Sequence, residues 1–124
     1  MVMNTPATAL DAYKAIIDQL VNETRCYGSS SRVTEKGIFS NAPTHQKYNA
    51  FIRTLSPEHR ALLARMLLDE RDGAIHDVLA SLTWWMTSQN VGLTYRGEPM
   101  PMELSGMGLH GDYVGRKDGW EWTK

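Results

Sequence analysis

The sequence predicts a mainly α-helical protein with a small C-terminal β element, an α+β fold of three principal helices and two or three short antiparallel strands. Three observations predict this fold class. Apolar residues recur at helical spacing through most of the chain. Serine, threonine and proline signals precede the helical stretches. Glycine and proline then crowd the last third, which breaks helices and favours turns.

The first helix is predicted from a cap at Thr5 and a proline at the first helical position, Pro6. It is expected to end between Thr24 and Gly28, with Cys26 packed as a small hydrophobic residue. Its apolar stripe comprises Leu10, Tyr13, Ile16, Ile17, Leu20 and Val21. The segment 27–43 contains Gly28, Gly37 and Pro43 among its turn-favouring residues, so we expect a long connection there.

Two further helices are predicted downstream. The second is expected from about Thr44 to Leu55, and its predicted buried face comprises Tyr48, Phe51, Ile52 and Leu55. The third begins at the signal Ser56-Pro57-Glu58-His59 and continues to about Ser88 as the longest of the three.

The third helix carries two apolar stripes that are offset around its axis by roughly a third of a turn. The first comprises Leu62, Leu63, Met66 and Leu67, and the second comprises Ile75, Val78, Leu79, Leu82 and Met86. A break near Asp72-Gly73 would explain the offset, and so would a continuous helix with different neighbours along its length. We favour the continuous helix, because one glycine costs only about 1 kcal/mol inside a helix.

A continuous helix would place Glu70 and Asp77 on one partly apolar side, with His59 towards one end of the same line. Acids on such a face are desolvated unless a partner satisfies them. One interpretation is a divalent metal site or an acid–base pair. The other is a structural pair of acids satisfied by arginines, for which Arg25, Arg32 and Arg53 are the candidates.

Trp84 and Trp85 are adjacent and therefore point to different faces of the predicted helix. Two such side chains are unlikely to share one core, so one of them is expected to cover the β tail or to contact a partner chain. Both are candidate interface residues.

The tail beyond residue 90 is predicted to form short strands. Leu93 to Tyr95 is expected to be a strand that ends at Arg96-Gly97. A second pairing is expected between Tyr113-Val114 and 120–122, joined by a turn at 117–119.

Composition restricts the classes of function. The chain has 124 residues, which fits a single domain over 1–124 with a helical part at about 5–90 and a β-rich tail at about 91–124. Thirteen basic residues balance 14 acidic ones, so nucleic-acid binding is unlikely. The first ten residues lack a signal-peptide pattern, and no apolar run is long enough to span a membrane. These features favour a cytoplasmic protein, and no cofactor is predicted beyond the divalent metal considered above.

Several runs of residues resemble a family of small uncharacterised bacterial proteins, a domain of unknown function. They are the stretches 55–60, 69–79, 97–101 and 108–113. The resemblance implies a bacterial origin and no activity. Because the sequence contains no recognisable catalytic motif, we expect a non-enzymatic bacterial interaction protein for which a homodimer is a candidate. The alternatives are a metal-binding protein or enzyme that uses the acids of the third helix and, with least support, a nucleic-acid-binding protein.

Overall fold

The computed structural model describes residues 5–102 and 104–122; Met1 to Asn4, Glu103, Thr123 and Lys124 lie outside the described residues. The α-helices are α1 (Ala9–Asn22), α2 (Ser30–Lys36), α3 (Gln46–Arg53), α4 (Pro57–Ser88) and α5 (Gly108–Lys117). Short 3-10 helices cover Thr24–Tyr27 and Pro43–His45, and the strands are β1 (Thr94–Tyr95) and β2 (Glu98–Pro99). The prediction of a mainly α protein with a small β element near the C-terminal end is confirmed.

The described residues fall into two compact units. The terminal unit comprises the residues up to Glu23 together with those from Ile75 onwards, and the central unit comprises Thr24–Ala74. Helix α4 contributes its first part to the central unit and its second part to the terminal unit. It continues through Gly73 without a break, as we expected for a lone glycine.

In the terminal unit, α1 packs against α5. The buried cluster comprises Tyr13, Ile17, Leu79, Leu109 and Tyr113. The predicted stripe of α1 supplies two of these residues, whereas Ile16 of that stripe is exposed. The helix begins later than predicted, because Thr8 is its cap and accepts a hydrogen bond of 3.0 Å from the Asp11 N–H. It also ends earlier, at Asn22.

The single β-hairpin of the described chain joins β1 to β2 in antiparallel register, with Thr94 opposite Pro99 and Tyr95 opposite Glu98. Arg96 and Gly97 form its two-residue turn, and both have positive φ, which is the geometry of a type I′ turn. The strand predicted at 93–95, ending at Arg96-Gly97, is therefore confirmed over Thr94–Tyr95.

The predicted hairpin between Tyr113-Val114 and 120–122 is wrong, because Tyr113 and Val114 lie inside helix α5. Three glycines made a helix look unfavourable there. Leu109, Tyr113 and Asp112 nevertheless share one buried face at helical spacing. This burial outweighs the conformational cost of the glycines, which is about 1 kcal/mol each.

The central unit contains a smaller buried cluster formed by Val33, Ile52 and Ala64. The long connection predicted over 27–43 is wrong in one respect, since it contains helix α2, which buries Val33 and ends at Gly37 with φ of 67°. The predicted buried face of the second helix is also partly wrong. Ile52 is buried, but Tyr48 and Phe51 are exposed and Asn49 is buried instead.

The buried Asn49 side chain supplies hydrogen bonds to backbone groups of the segment before α3. Its carbonyl oxygen accepts from the Phe39 N–H at 2.7 Å, and its amide donates to the Ser40 carbonyl at 2.8 Å. A polar side chain inside a core is stable when its hydrogen bonds are satisfied in this way.

Candidate functional site

The structure places the acids of the predicted site on exposed positions of α4. Glu70 belongs to the central unit, and Asp77 belongs to the terminal unit with 83% of its side chain exposed. His59 is exposed in the first turn, where its N–H donates to the capping Ser56 hydroxyl at 3.2 Å. Burial therefore does not desolvate either carboxylate. Among the residues that the structure describes, no group of three or more His, Cys, Asp and Glu side chains could hold a metal ion.

The arginine expected near these acids binds a different carboxylate. Within the central unit, the Arg25 guanidinium donates from Nε and Nη2 to both oxygens of Asp72, at 2.8 and 2.9 Å. Arg32 donates instead to the Phe39 carbonyl. The two parallel hydrogen bonds between Arg25 and Asp72 are the strongest geometry that an arginine and a carboxylate form. Sequence reasoning missed the Arg25–Asp72 pair because its members are 47 residues apart.

His76 contacts two titratable side chains of the terminal unit. Its Nδ1 lies 3.1 Å from the Asp77 carboxylate, and its ring meets the His110 ring edge-on with centroids 5.1 Å apart. His110 Nδ1 is buried and has no hydrogen-bond partner among the residues that the structure describes. The terminal unit thus brings together His76 and His110, which lie far apart in the chain.

A buried polar network in the terminal unit centres on Asp112, which has no exposed surface. Its two carboxylate oxygens accept hydrogen bonds from the Tyr13 and Ser105 hydroxyls. Burial raises the pKa of the Tyr13 phenol well above its ordinary value of 10.0, and the hydrogen bond and charge of Asp112 act in the same direction. The network ties α1, α5 and the segment before α5 together.

A second polar network attaches the end of the described chain to α1. The Asp18 carboxylate accepts from Arg116 Nε at 2.7 Å and from the Trp122 indole N–H at 3.0 Å. The Trp122 ring also meets the Tyr13 ring edge-on at 5.9 Å. Both networks supply hydrogen bonds to carboxylates that are buried or half-buried.

The exposed apolar residues of α4 form the most prominent surface feature of the terminal unit. Val78, Leu82 and Trp85 follow one another at four- and three-residue spacing, and they are 60%, 42% and 50% exposed. Trp84 is 53% exposed, and its ring contacts the Trp85 ring with centroids 5.2 Å apart. We call these four residues the α4 apolar patch. Val78 and Leu82 were predicted to be buried, and their exposure is what creates the patch.

A cavity of about 1110 Å³ opens elsewhere in the terminal unit. It is bounded by the α4 side chains Thr83, Met86 and Thr87, by Val91, and by described residues between Met100 and Leu109. Four of the seven methionines of the chain line it: Met86, Met100, Met102 and Met107. Ligand pockets are typically about 300–1,000 Å³ and mostly apolar, so the cavity has the size of a ligand site.

The central unit has a smaller apolar groove of about 260 Å³. Its wall includes Lys47 beside the aromatic residues Tyr48 and Phe51 of α3. The exposed Tyr48 ring stacks on His45 with centroids 5.1 Å apart. Within the described residues, Ser40 is the only hydrogen-bonding partner of the His45 ring, so Ser40 and His45 lack the third group that orients a catalytic histidine.

Cys26 is exposed in the short helix after α1, so the expectation that it packs as a small hydrophobic residue is wrong. The end of α1 at Asn22 explains the difference, because the apolar face of that helix does not reach residue 26.

No helix in the described part of the chain combines the length and apolar character that crossing a bilayer requires. Comparisons with curated proteins and with solved structures gave no match. A family model does match: it covers residues 6–124 and is described as a family of unknown function (DUF6547). The chain belongs to this family.

Proposed function

We propose that this protein is an interaction protein that pairs with a second copy of itself through the α4 apolar patch. The observation that carries the proposal is the half-exposure of two adjacent tryptophans beside Val78 and Leu82 on one helix. Tryptophan is the residue type most enriched among the energetic hot spots of protein interfaces.

The size of the patch supports a reversible association. A tryptophan presents about 150–250 Å² when fully exposed, so two half-exposed rings present roughly 150–250 Å² together. Val78 and Leu82 extend the patch to a few hundred Å², which is the scale of functional surface patches on monomers. A standard interface buries about 800 Å² on each partner. The patch therefore suits the centre of an interface, with polar neighbours forming its rim.

The charge pattern favours a second copy as the occupant. The sequence from Val78 to Tyr95 contains no charged residue, so the four residues of the patch add no repulsion between like charges when two copies face each other, and the exposed Asp77 lies at the edge of the patch. A twofold dimer brings the same patch of both chains together, which requires a self-complementary surface. Depletion of charge is also the compositional mark of interface centres. The groove of the central unit differs, because Lys47 forms part of its wall.

We propose a cytoplasmic location, which the exposed free thiol of Cys26 supports. Exposed free thiols persist in reducing compartments and are oxidised outside them.

The same substitution at two positions of α4 tests where the chains meet. Leu82→Glu puts a carboxylate into the patch, and Leu62→Glu puts one on the central unit at a side chain that is 57% exposed. We expect light scattering after size exclusion to show that Leu82→Glu dissociates the dimer and that Leu62→Glu does not. Dissociation by Leu62→Glu alone would contradict the proposed interface. Far-ultraviolet circular dichroism of both variants controls for loss of the fold.

A further inference from the structure

We infer that the methionine-lined cavity of the terminal unit is a binding site for an uncharged, apolar small molecule. The inference is independent of the proposed dimer, because Val78, Leu82, Trp84 and Trp85 do not line this cavity.

The chemistry of the wall selects the ligand class. None of the described residues that line the cavity is charged. An anionic ligand such as a free fatty acid buries its carboxylate at a large cost unless a cation or several donors receive it. The wall offers apolar surface instead, from side chains that include Val91, Leu104 and Leu109. An alcohol, ester, hydrocarbon or aromatic ring suits such a wall.

The polar side chains of the wall are already engaged by the protein. The Thr83 hydroxyl donates to the Leu79 carbonyl at 2.9 Å and accepts from the Leu109 N–H at 3.0 Å. The Thr87 hydroxyl donates to the Thr83 carbonyl at 2.9 Å. Both hydroxyl protons are donated to backbone carbonyls, so neither hydroxyl can donate a hydrogen bond to an anionic ligand. This agrees with an apolar ligand.

Methionine gives this wall its adaptability. Met86, Met100 and Met102 pack against the buried cluster, so they support the core as well as the cavity. Met107 is half exposed at the cavity, as is Val91. Unbranched thioether side chains fit ligands of different shapes, and they are overrepresented at surfaces that bind several partners. The site is therefore suited to a class of apolar molecules rather than to one rigid shape.

Two ligands of equal chain length separate the contribution of charge from that of apolar area. The neutral dye N-phenyl-1-naphthylamine reports binding by its fluorescence in apolar surroundings, and 1-decanol or decanoate then competes for the site at a pH where decanoate is ionised. We expect saturable dye binding and displacement by decanol at a concentration at least about tenfold lower than by decanoate. Absence of saturable binding, or equal displacement by the two competitors, would overturn the inference.

Lysine substitutions on adjacent positions of α4 test the location. Thr87 lines the cavity, whereas its exposed neighbour Ser88 does not. Thr87→Lys supplies a cation for a carboxylate and should shift the preference at least about tenfold towards decanoate, and Ser88→Lys should leave the preference unchanged.

Leu82→Glu separates the cavity from the α4 apolar patch. Dye binding should survive this substitution. An equal effect of Thr87→Lys and Ser88→Lys, or loss of dye binding in Leu82→Glu, would place the dye on the surface and refute a cavity site.

Discussion

Replacing Tyr13 with phenylalanine is expected to destabilise the protein by about 1.5–3 kcal/mol, which is the contribution of a hydrogen bond to a charged group. The change removes only the hydroxyl, and the ring keeps its buried position. The Asp112 carboxylate would then remain fully buried and would keep the hydrogen bond from the Ser105 hydroxyl. Urea unfolding measures the difference as a lower midpoint with an unchanged slope.

The same substitution should change how stability depends on pH. The Tyr13 phenol has a raised pKa in the folded protein and an ordinary value near 10.0 when unfolded. Above that value the unfolded chain releases the proton and the folded protein retains it. Stability is therefore complete below about pH 10 and falls by up to about 1.4 kcal/mol per pH unit above it. Tyr13→Phe should remove this contribution, so its stability should fall less steeply than that of the wild type between about pH 10 and 12.

Tyr27→Phe is the matched control, because Tyr27 is exposed and the chemical change is identical. It should change the free energy of unfolding by less than about 0.5 kcal/mol. The reasoning is refuted if Tyr13→Phe is as stable as Tyr27→Phe at neutral pH, or if the two variants lose stability in parallel above pH 10.

Two further substitutions test the glycines, and one tests an ion pair. Gly73→Ala should stabilise the protein by about 0.5–1 kcal/mol, because Gly73 is an exposed mid-helix position with open space around a Cβ. Gly108→Ala should destabilise it by about 1–3 kcal/mol, since φ is +80° and the new Cβ would lie 2.7 Å from Thr83 Cγ2. Asp72→Ala should cost about 1–3 kcal/mol by removing a carboxylate from the half-buried Arg25 guanidinium. Urea unfolding checks all three, and a change of the opposite sign would contradict each.

Local signals predicted the start of α4 correctly, whereas the cap predicted for α1 at Thr5 was wrong because Thr8 caps that helix. Ser56 and Pro57 mark the start of α4, and its continuity through Gly73 follows from the small cost of one glycine. Gly97 also follows from local chemistry, because its position in the type I′ turn has positive φ, whereas the positive φ of Arg96 was not predictable from the residue type.

The remaining elements depend on tertiary contacts that local patterns do not report. Helix α5 forms because Leu109, Asp112 and Tyr113 are buried together, and the spacing of these residues was the available signal. The position of Asp112 in the core depends on the Tyr13 hydroxyl, 99 residues away in the chain. Sequence alone does not reveal such a partner.

The candidate surfaces were predicted only in part. Trp84 and Trp85 were identified as interface candidates from their adjacency on a helix, and their use as an interface stays a prediction. The apolar pattern of α4 indicated that Val78 and Leu82 were buried, because periodicity identifies an apolar face without showing what covers it. The cavity was not predicted, since its methionines come from α4 and from the segment before α5.

Sedimentation equilibrium of the unmodified protein over a range of concentrations tests the proposed self-association most directly. We expect the average mass to rise with concentration from the 14.0 kDa of one chain towards twice that value. At a protein concentration of about 1 mM, even a dimer with a binding free energy of about 4 kcal/mol would be detected. An average mass that stays at 14.0 kDa up to this concentration would contradict the account.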